Sequence, residues 1–327
     1  MRVLLVAYHK YPAYGESGSG HHPPEYPSGS GYHLHDLLAR GLAEEGHEVF
    51  YQLRRGSSQP MPPGVALVSE PVPGVDLCHA IAVGSYADET LRFAAHHRKP
   101  CLLTCHLDLK IRGIDPATAG PNWVFVSRTI AHAHGSKRFV LNGLSPSDYI
   151  FSESKGDYFL FIANMDRAQE KGLDVALALC LRKGLRLIVA GASTKYETIR
   201  HIAERCAESR AEYVGDLRGR AKAELFAGAQ AVLFPSRTNE SCPLVIIEAM
   251  MSGTPVISSA TGGSPELVSP QVGFLCDQPE EWDRAVDRVR EISPRQCREE
   301  AVQKYHYRRM TTDYLREYEI EIATAGG

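Results

Sequence analysis

An α/β fold in two domains is what this sequence predicts, and three observations carry the prediction. Short apolar runs alternate with helix-length amphipathic segments, the pattern of parallel sheets covered by helices. A chain of 327 residues is long enough for two independent cores. Between Pro146 and Asp157 the pattern lapses into polar sequence, which sets a boundary there. We therefore read residues 1–147 as a first domain, 148–157 as a linker, 158–294 as a second domain and 295–327 as a charged C-terminal stretch.

The elements follow in order. Met1-Arg2-Val3-Leu4-Leu5-Val6-Ala7 reads as a buried strand and is too short for a secretory signal. Further strands are expected near 48–53, 65–68, 76–81, 100–105, 122–126 and 138–141, with helices near 31–45, 86–97 and 127–134. In the second half, strands are expected near 158–163, 185–190, 211–214, 230–234, 255–258 and 273–276. Helices there are expected near 171–183, 195–207, 219–228, 243–252 and 279–292. The stretch Lys10 to Gly31 is rich in Gly, Ser, Pro and His and follows the first strand. Loops at that edge of a doubly wound sheet line its binding crevice, so we expect a flap that orders on ligand binding.

Composition excludes several classes. The formal net charge is -3, and residues 1–150 carry 13 basic and 13 acidic side chains against 23 and 26 in 151–327. Neither half is a basic platform, so nucleic acid is not an expected partner and the balance argues against membrane association. Eight cysteines contain no Cys-x2-Cys pair, so neither a metal site nor a disulfide frame is expected. A reducing cytoplasm is the default compartment, and a homodimer is compatible with all of this. Twelve of fourteen histidines precede residue 150, but a Gly/Ser loop does not fix a metal geometry.

The densest chemistry lies in Asn239-Glu240-Ser241-Cys242-Pro243-Leu244-Val245-Ile246-Ile247-Glu248-Ala249-Met250, followed by Ser252-Gly253-Thr254-Pro255-Val256 and Thr261-Gly262-Gly263-Ser264-Pro265-Glu266. Ser241 or Cys242 would cap a helix with Pro243 at its first position, leaving the Leu244 and Val245 N–H groups for an anion. Gly262 and Gly263 form a turn that lets backbone approach a ligand, and Ser264-Pro265 repeats the cap-then-proline start. Carboxylates beside an anion seat suit a sugar nucleotide, since they accept hydrogen bonds from sugar hydroxyls. Without further context Glu240 and Glu248 are equally readable as solvated helix-end acids.

This segment resembles the donor-site signature of retaining glycosyltransferases of family 4. That pattern is Glu, seven residues, Glu, then Ala-Met, a Gly-Thr-Pro-Val run and Gly-Gly-x-x-Glu. Gly31-Tyr32-His33, Thr104-Cys105-His106, Asn142-Gly143-Leu144, Lys171-Gly172-Leu173-Asp174 and Phe234-Pro235-Ser236 extend the resemblance over most of the chain. It implies the GT-B fold, two Rossmann-like domains facing a deep interdomain cleft, with the C-terminal helix crossing back to the first domain. It also implies a metal-independent, retaining hexosyltransferase that needs no cofactor. The donor would be a nucleoside-diphosphate sugar, most often a UDP-sugar, and the acceptor a small molecule or glycoside.

Residue roles are carried over from the same resemblance. Glu248 would hold the ribose hydroxyls and Glu240 those of the donor sugar. Lys171 and Arg167 would neutralise the diphosphate, and His106 would meet the transferred sugar. Gly31 and Gly191 would let backbone reach the donor, with Val214 and Leu217 beside the base. His33 and Asp108 would face the acceptor. The chain departs from the family at Asp166, where an Arg is expected five residues before the Lys; Arg167 lies one residue later. Two alternatives stay open: a sugar-nucleotide epimerase on the same fold, and a non-catalytic nucleotide-sugar-binding protein. A dehydrogenase is disfavoured, because no Gly-x-Gly-x-x-Gly follows the first strand.

Overall fold

The computed structural model describes residues 1–7, 30–53 and 62–326. Most of the stretch Lys10 to Gly31 lies outside these residues. Two compact units emerge: Met1–Ser145 with Tyr305–Gly327, and Pro146–Lys304.

Unit 1 is built on six parallel strands: β1 (Arg2–Val6), β2 (Glu48–Gln52), β3 (Val65–Val68), β4 (Leu77–Ile81), β5 (Cys101–Cys105) and β6 (Trp123–Phe125). They run in the order β3-β2-β1-β4-β5-β6. The strands at the centre are nearly continuous apolar runs because both their faces are covered: Val3 to Val6 and all of β5 are buried. Helices α1 (Ser30–Glu44), α2 (Ser85–His96) and α3 (Arg128–Ala133) connect them. The strand expected near 138–141 is reduced to a single bridge between Phe125 and Phe139. It is held by Phe125 N–H to the Arg138 carbonyl and Val140 N–H to the Phe125 carbonyl, which continues no ladder beyond β6.

Unit 2 repeats the plan with β7 (Tyr158–Ile162), β8 (Arg186–Ala190), β9 (Glu212–Tyr213), β10 (Ala231–Phe234), β11 (Val256–Ser259) and β12 (Gly273–Cys276). The order is β12-β11-β10-β7-β8-β9, again all parallel. Its helices are α4 (Leu173–Lys183), α5 (Tyr196–Glu208), α6 (Gly219–Gly228), α7 (Leu244–Met251), the single turn α8 (Ser264–Leu267), α9 (Pro279–Arg288) and α10 (Pro294–Tyr305). Phe159, Phe161, Leu177, Leu187, Leu233, Ile257 and Trp282 are part of one core cluster.

The charged C-terminal stretch forms α10 and then α11 (Tyr307–Gly326), which returns the chain to unit 1. Two glycines allow its close approach. A Cβ on Gly41 of α1 would lie 2.0 Å from Thr311 Oγ1, and one on Gly143 would lie 2.8 Å from the His306 carbonyl oxygen. Arg138 adds partly buried ion pairs to Glu317 and Glu321 of α11.

Candidate functional site

The signature segment folds as a loop after β10 that enters α7. The helix starts one residue later than its sequence suggests: Pro243 is itself the cap, with extended backbone at φ -69° and ψ 111°. No side chain caps this end, so the N–H groups of Leu244 and Val245 face outward from a positive helix terminus. Ser241 and Cys242 are buried behind it.

Glu240 precedes the helix, and its Oε1 gathers donors from two loops. Lys171 Nζ donates to it, as does Thr238 Oγ1 at 2.7 Å. Burial works to raise the Glu240 carboxyl, but the Lys171 ammonium and the Thr238 hydroxyl outweigh it and hold it below its ordinary range. For Lys171 burial wins, pulling it below the usual lysine value although Glu240 pulls the other way. The two groups face each other as an ion pair.

Glycines make this convergence possible, though not for the reason the sequence suggested. Gly172 has φ 78°, and a Cβ there would sit 2.0 Å from the Pro235 carbonyl oxygen. This holds Lys171 in the loop and delays α4 to Leu173. A Cβ on Gly263 would meet the Ser241 carbonyl oxygen at 2.3 Å, and one on Gly262 the Glu240 carbonyl oxygen at 2.5 Å. The Gly262-Gly263 turn is thus packed on the backbone of the signature loop. Its N–H groups are engaged too: Gly263 donates to Glu240, Ser264 to Thr261 and Glu266 to Gly263. The cap-then-proline start at Ser264-Pro265 thus has its neighbouring N–H groups engaged within the turn, unlike the start of α7.

Glu248 lies in α7, 9% exposed. Its Oε1 accepts from Lys222 Nζ of α6 at 2.6 Å and from the Tyr149 hydroxyl at 3.2 Å. Lys155 Nζ holds the opposite ends of these helices, donating to the carbonyls of Ala227 and Ser252 and to Thr254 Oγ1.

Asp166, where the resemblance calls for an Arg, ties two loops together. It accepts from Ser193 Oγ at 2.6 Å and from the Thr194 N–H and hydroxyl at 3.3 and 3.2 Å. Arg167 pairs with Glu170 at 2.8 Å, yet its charge also bears on Lys171 and Glu240. Gly191 at φ 147° has a packing reason: a Cβ would fall 1.8 Å from the Ala163 carbonyl oxygen. Its carbonyl accepts from the Tyr213 hydroxyl, and its N–H donates to Gly215. Val214 and Leu217 flank that turn, both half-buried.

In unit 1, His106 emerges directly after β5. Both its ring nitrogens are buried and find no hydrogen-bond partner among the described residues. Burial pulls its pKa down to about 4. Its ring is 6.0 Å from that of His35, which is 5.2 Å from His79. His79 is fully enclosed, with Nδ1 2.7 Å from the Tyr318 hydroxyl and Nε2 2.7 Å from Thr104 Oγ1. Thr104 Oγ1 lies 2.9 Å from the Tyr314 hydroxyl. Burial, with a smaller contribution from His106, lowers His79 to about 3. Gly31 falls in the first turn of α1, and His33 is half-buried on the same helix. Asp108 is engaged by its own loop: it is buried and accepts from the Lys110 N–H at 3.1 Å.

Sequence reasoning missed Lys222, Tyr149 and Thr238. Only Thr238 left a signal, two positions before Glu240; the other two reach Glu248 through the fold. Among the described residues no group of three His, Cys, Asp or Glu could hold a metal ion, and no helix is long and apolar enough to cross a membrane.

Residues 150–309 match the family described as glycosyl transferases group 1. The GDP-mannose-dependent alpha-mannosyltransferase of Mycolicibacterium smegmatis is 32% identical over 111 residues, 34% of this chain and 28% of that protein. The D-inositol 3-phosphate glycosyltransferase of Segniliparus rotundus is 32% identical over 158 residues, 44% of this chain and 32% of that protein. The chain thus spans about a third of the length of these curated relatives. The crystal structure of AviGT4, a glycosyltransferase involved in avilamycin A biosynthesis, superposes with a TM-score of 0.73 at 22% identity, covering 99% of this chain and 98% of that one. Two parallel Rossmann-like sheets and this likeness establish the GT-B fold. Through residues 150–309, just under half of its length, the chain is thus similar to the glycosyl transferases group 1 family.

Proposed function

We propose that this protein transfers a hexose from a nucleoside-diphosphate sugar to a small-molecule or glycoside acceptor, with retention at the anomeric carbon and without a metal. The observation that carries this reading is the Lys171–Glu240 pair beside the uncapped start of α7. A fixed cation and outward N–H groups suit a leaving diphosphate, and a carboxylate held charged beside them suits sugar hydroxyls. Arg167 adds a second cation once it exchanges Glu170 for phosphate. Glu248 takes the ribose hydroxyls. His106, with two buried nitrogens in want of partners, is assigned to the transferred sugar. UDP is the first choice of nucleotide from the family resemblance. The mannosyltransferase named for GDP-mannose makes GDP the competitor.

Calorimetric titration with UDP, GDP, TDP, ADP and NAD tests this. We expect one nucleoside diphosphate to bind, and Glu248→Ala to weaken it by about 30-fold, the loss of charge-assisted hydrogen bonds worth about 2 kcal/mol. Binding of NAD alone would sink the reading. Retention is read separately, from the anomeric coupling constant of the product. Asp166 favours one second reading, a nucleotide-sugar-binding protein without turnover, because it removes a phosphate cation. Donor consumption with a panel of glycoside acceptors separates the two.

A further inference from the structure

Glu248 is held in a way that ribose binding alone does not require. A carboxylate this enclosed needs compensation by a cation and hydrogen bonds. Two elements of unit 2 outside α7 supply it: α6 through Lys222 and the segment after the turn Pro146–Asp148 through Tyr149. Both donors use the same oxygen, Oε1. Among the described residues Oε2 takes no hydrogen bond, and it is not one of the buried atoms left without a partner. The 12% of the Glu248 side chain that remains exposed therefore places Oε2 toward solvent. Burial and the Glu248 charge push the Tyr149 hydroxyl well above its ordinary pKa, so it stays a donor. Asp148 is the other charged group acting on Tyr149.

We propose that Lys222 and Tyr149 are positioning residues for nucleotide recognition. By occupying Oε1 they leave Oε2 as the acceptor for a ribose diol and make the site select ribose over 2′-deoxyribose. This rests on the donor reading above. The selectivity follows because a partly buried carboxylate oxygen aimed at a diol loses a charge-assisted bond when one hydroxyl is missing, with water poorly placed to replace it. Lys222 has a second task. Stripped of its cation, a carboxylate at this depth takes up a proton more readily and loses its charge-assisted acceptance.

The test is calorimetry with UDP and 2′-deoxy-UDP (or GDP and 2′-deoxy-GDP, if guanine is the base accepted) between about pH 6 and 8. The chain is compared with Lys222→Met, Lys222→Arg and Tyr149→Phe. The unsubstituted chain should prefer the ribonucleotide by about ten-fold, one charged hydrogen bond, at every pH in that range. Lys222→Met should bind both nucleotides with little preference and lose affinity for the ribonucleotide as pH falls, while Lys222→Arg should restore both properties. A Lys222→Met variant with unchanged preference and pH profile would overturn the proposal. Should that variant fail to fold by circular dichroism, Tyr149→Phe decides. A drop in preference of about three-fold supports the proposal, and no drop overturns it. Failure of the unsubstituted chain to bind any nucleoside diphosphate sinks the donor reading itself. Binding without ribose preference sinks only this inference.

Discussion

The histidine cluster of unit 1 and the lysine–carboxylate pairs of unit 2 are two solutions to one problem, keeping polar groups inside a sheet edge. In unit 1, His35, His79 and His106 lie ring to ring, and His79 is tied to Thr104 and to Tyr318 of α11. The imidazoles of His79 and His106 are kept neutral by burial. In unit 2, Lys171 meets Glu240 and Lys222 meets Glu248, each pair charged across two elements. Neutral burial costs little at pH 7 but exposes the fold to acid. Paired burial costs desolvation, yet leaves oriented charges within reach of a ligand. The difference assigns structural polarity to His79, bonded at both nitrogens, and ligand-ready polarity to the pairs of unit 2 and to the unpartnered His106.

Acid should separate the two regions most strongly. Unfolded histidines take up protons near pH 6.5, whereas His79 and His106 resist until about 3 and about 4. Between those limits the unfolded chain binds more protons, so the stability of unit 1 falls as pH drops from 6.5, by several kcal/mol in all. In unit 2 the depressed carboxyls of Glu240 and Asp174 contribute stability above their unfolded values and lose it only as pH falls through their lowered folded ones. Unit 1 should therefore go first. The chain has two tryptophans, Trp123 buried in unit 1 and Trp282 buried in unit 2. Fluorescence of Trp282→Phe and Trp123→Phe follows each unit alone. Coincident acid transitions would break the comparison.

Removing one partner of a unit 2 pair is the next largest perturbation. Lys171 and Glu240 have side chains only 12% and 19% exposed, so Lys171→Met should cost about 3 kcal/mol by stranding the carboxylate. Adding Glu240→Gln should recover most of that loss, measured by urea unfolding, without recovering nucleotide binding. A cost under about 1 kcal/mol would mean that solvent screens the pair as it does a surface one.

The same contrast explains what the sequence could and could not disclose. Strands buried on both faces, such as Val3-Leu4-Leu5-Val6 and Leu187-Ile188-Val189-Ala190, are continuous apolar runs, and reading them needs no tertiary knowledge. Residues 138–141 are equally apolar in part, but they make a single bridge, Phe139 to Phe125, beside the short edge strand β6. Gly172, Gly191, Gly262 and Gly263 were legible as required glycines. What approaches them is a neighbouring backbone carbonyl, which no local pattern encodes. Glu240 and Glu248 stood out through spacing, whereas Lys222 and Tyr149 meet Glu248 only after α6, α7 and the segment after Ser145 have packed. Buried His79 was likewise invisible, since its partners Tyr314 and Tyr318 are supplied by α11 from the far end of the chain.

The smallest effect is also the sharpest probe of the unit 1 cluster. The Tyr314 hydroxyl joins the hydrogen-bonded chain that runs from Tyr318 through His79 to Thr104. Tyr314→Phe removes one hydroxyl and leaves Thr104 bonded to His79, so it should cost about 1 kcal/mol. Thr104→Val keeps the shape but strands His79 Nε2, a fully buried group, and should cost about 3 kcal/mol. Urea midpoints followed by Trp123 in the Trp282→Phe background give both numbers in one unit. Equal costs would mean that Thr104 is not the junction of this chain. Three-fold different costs would place the weight of the cluster on His79, where burial already forbids a charge.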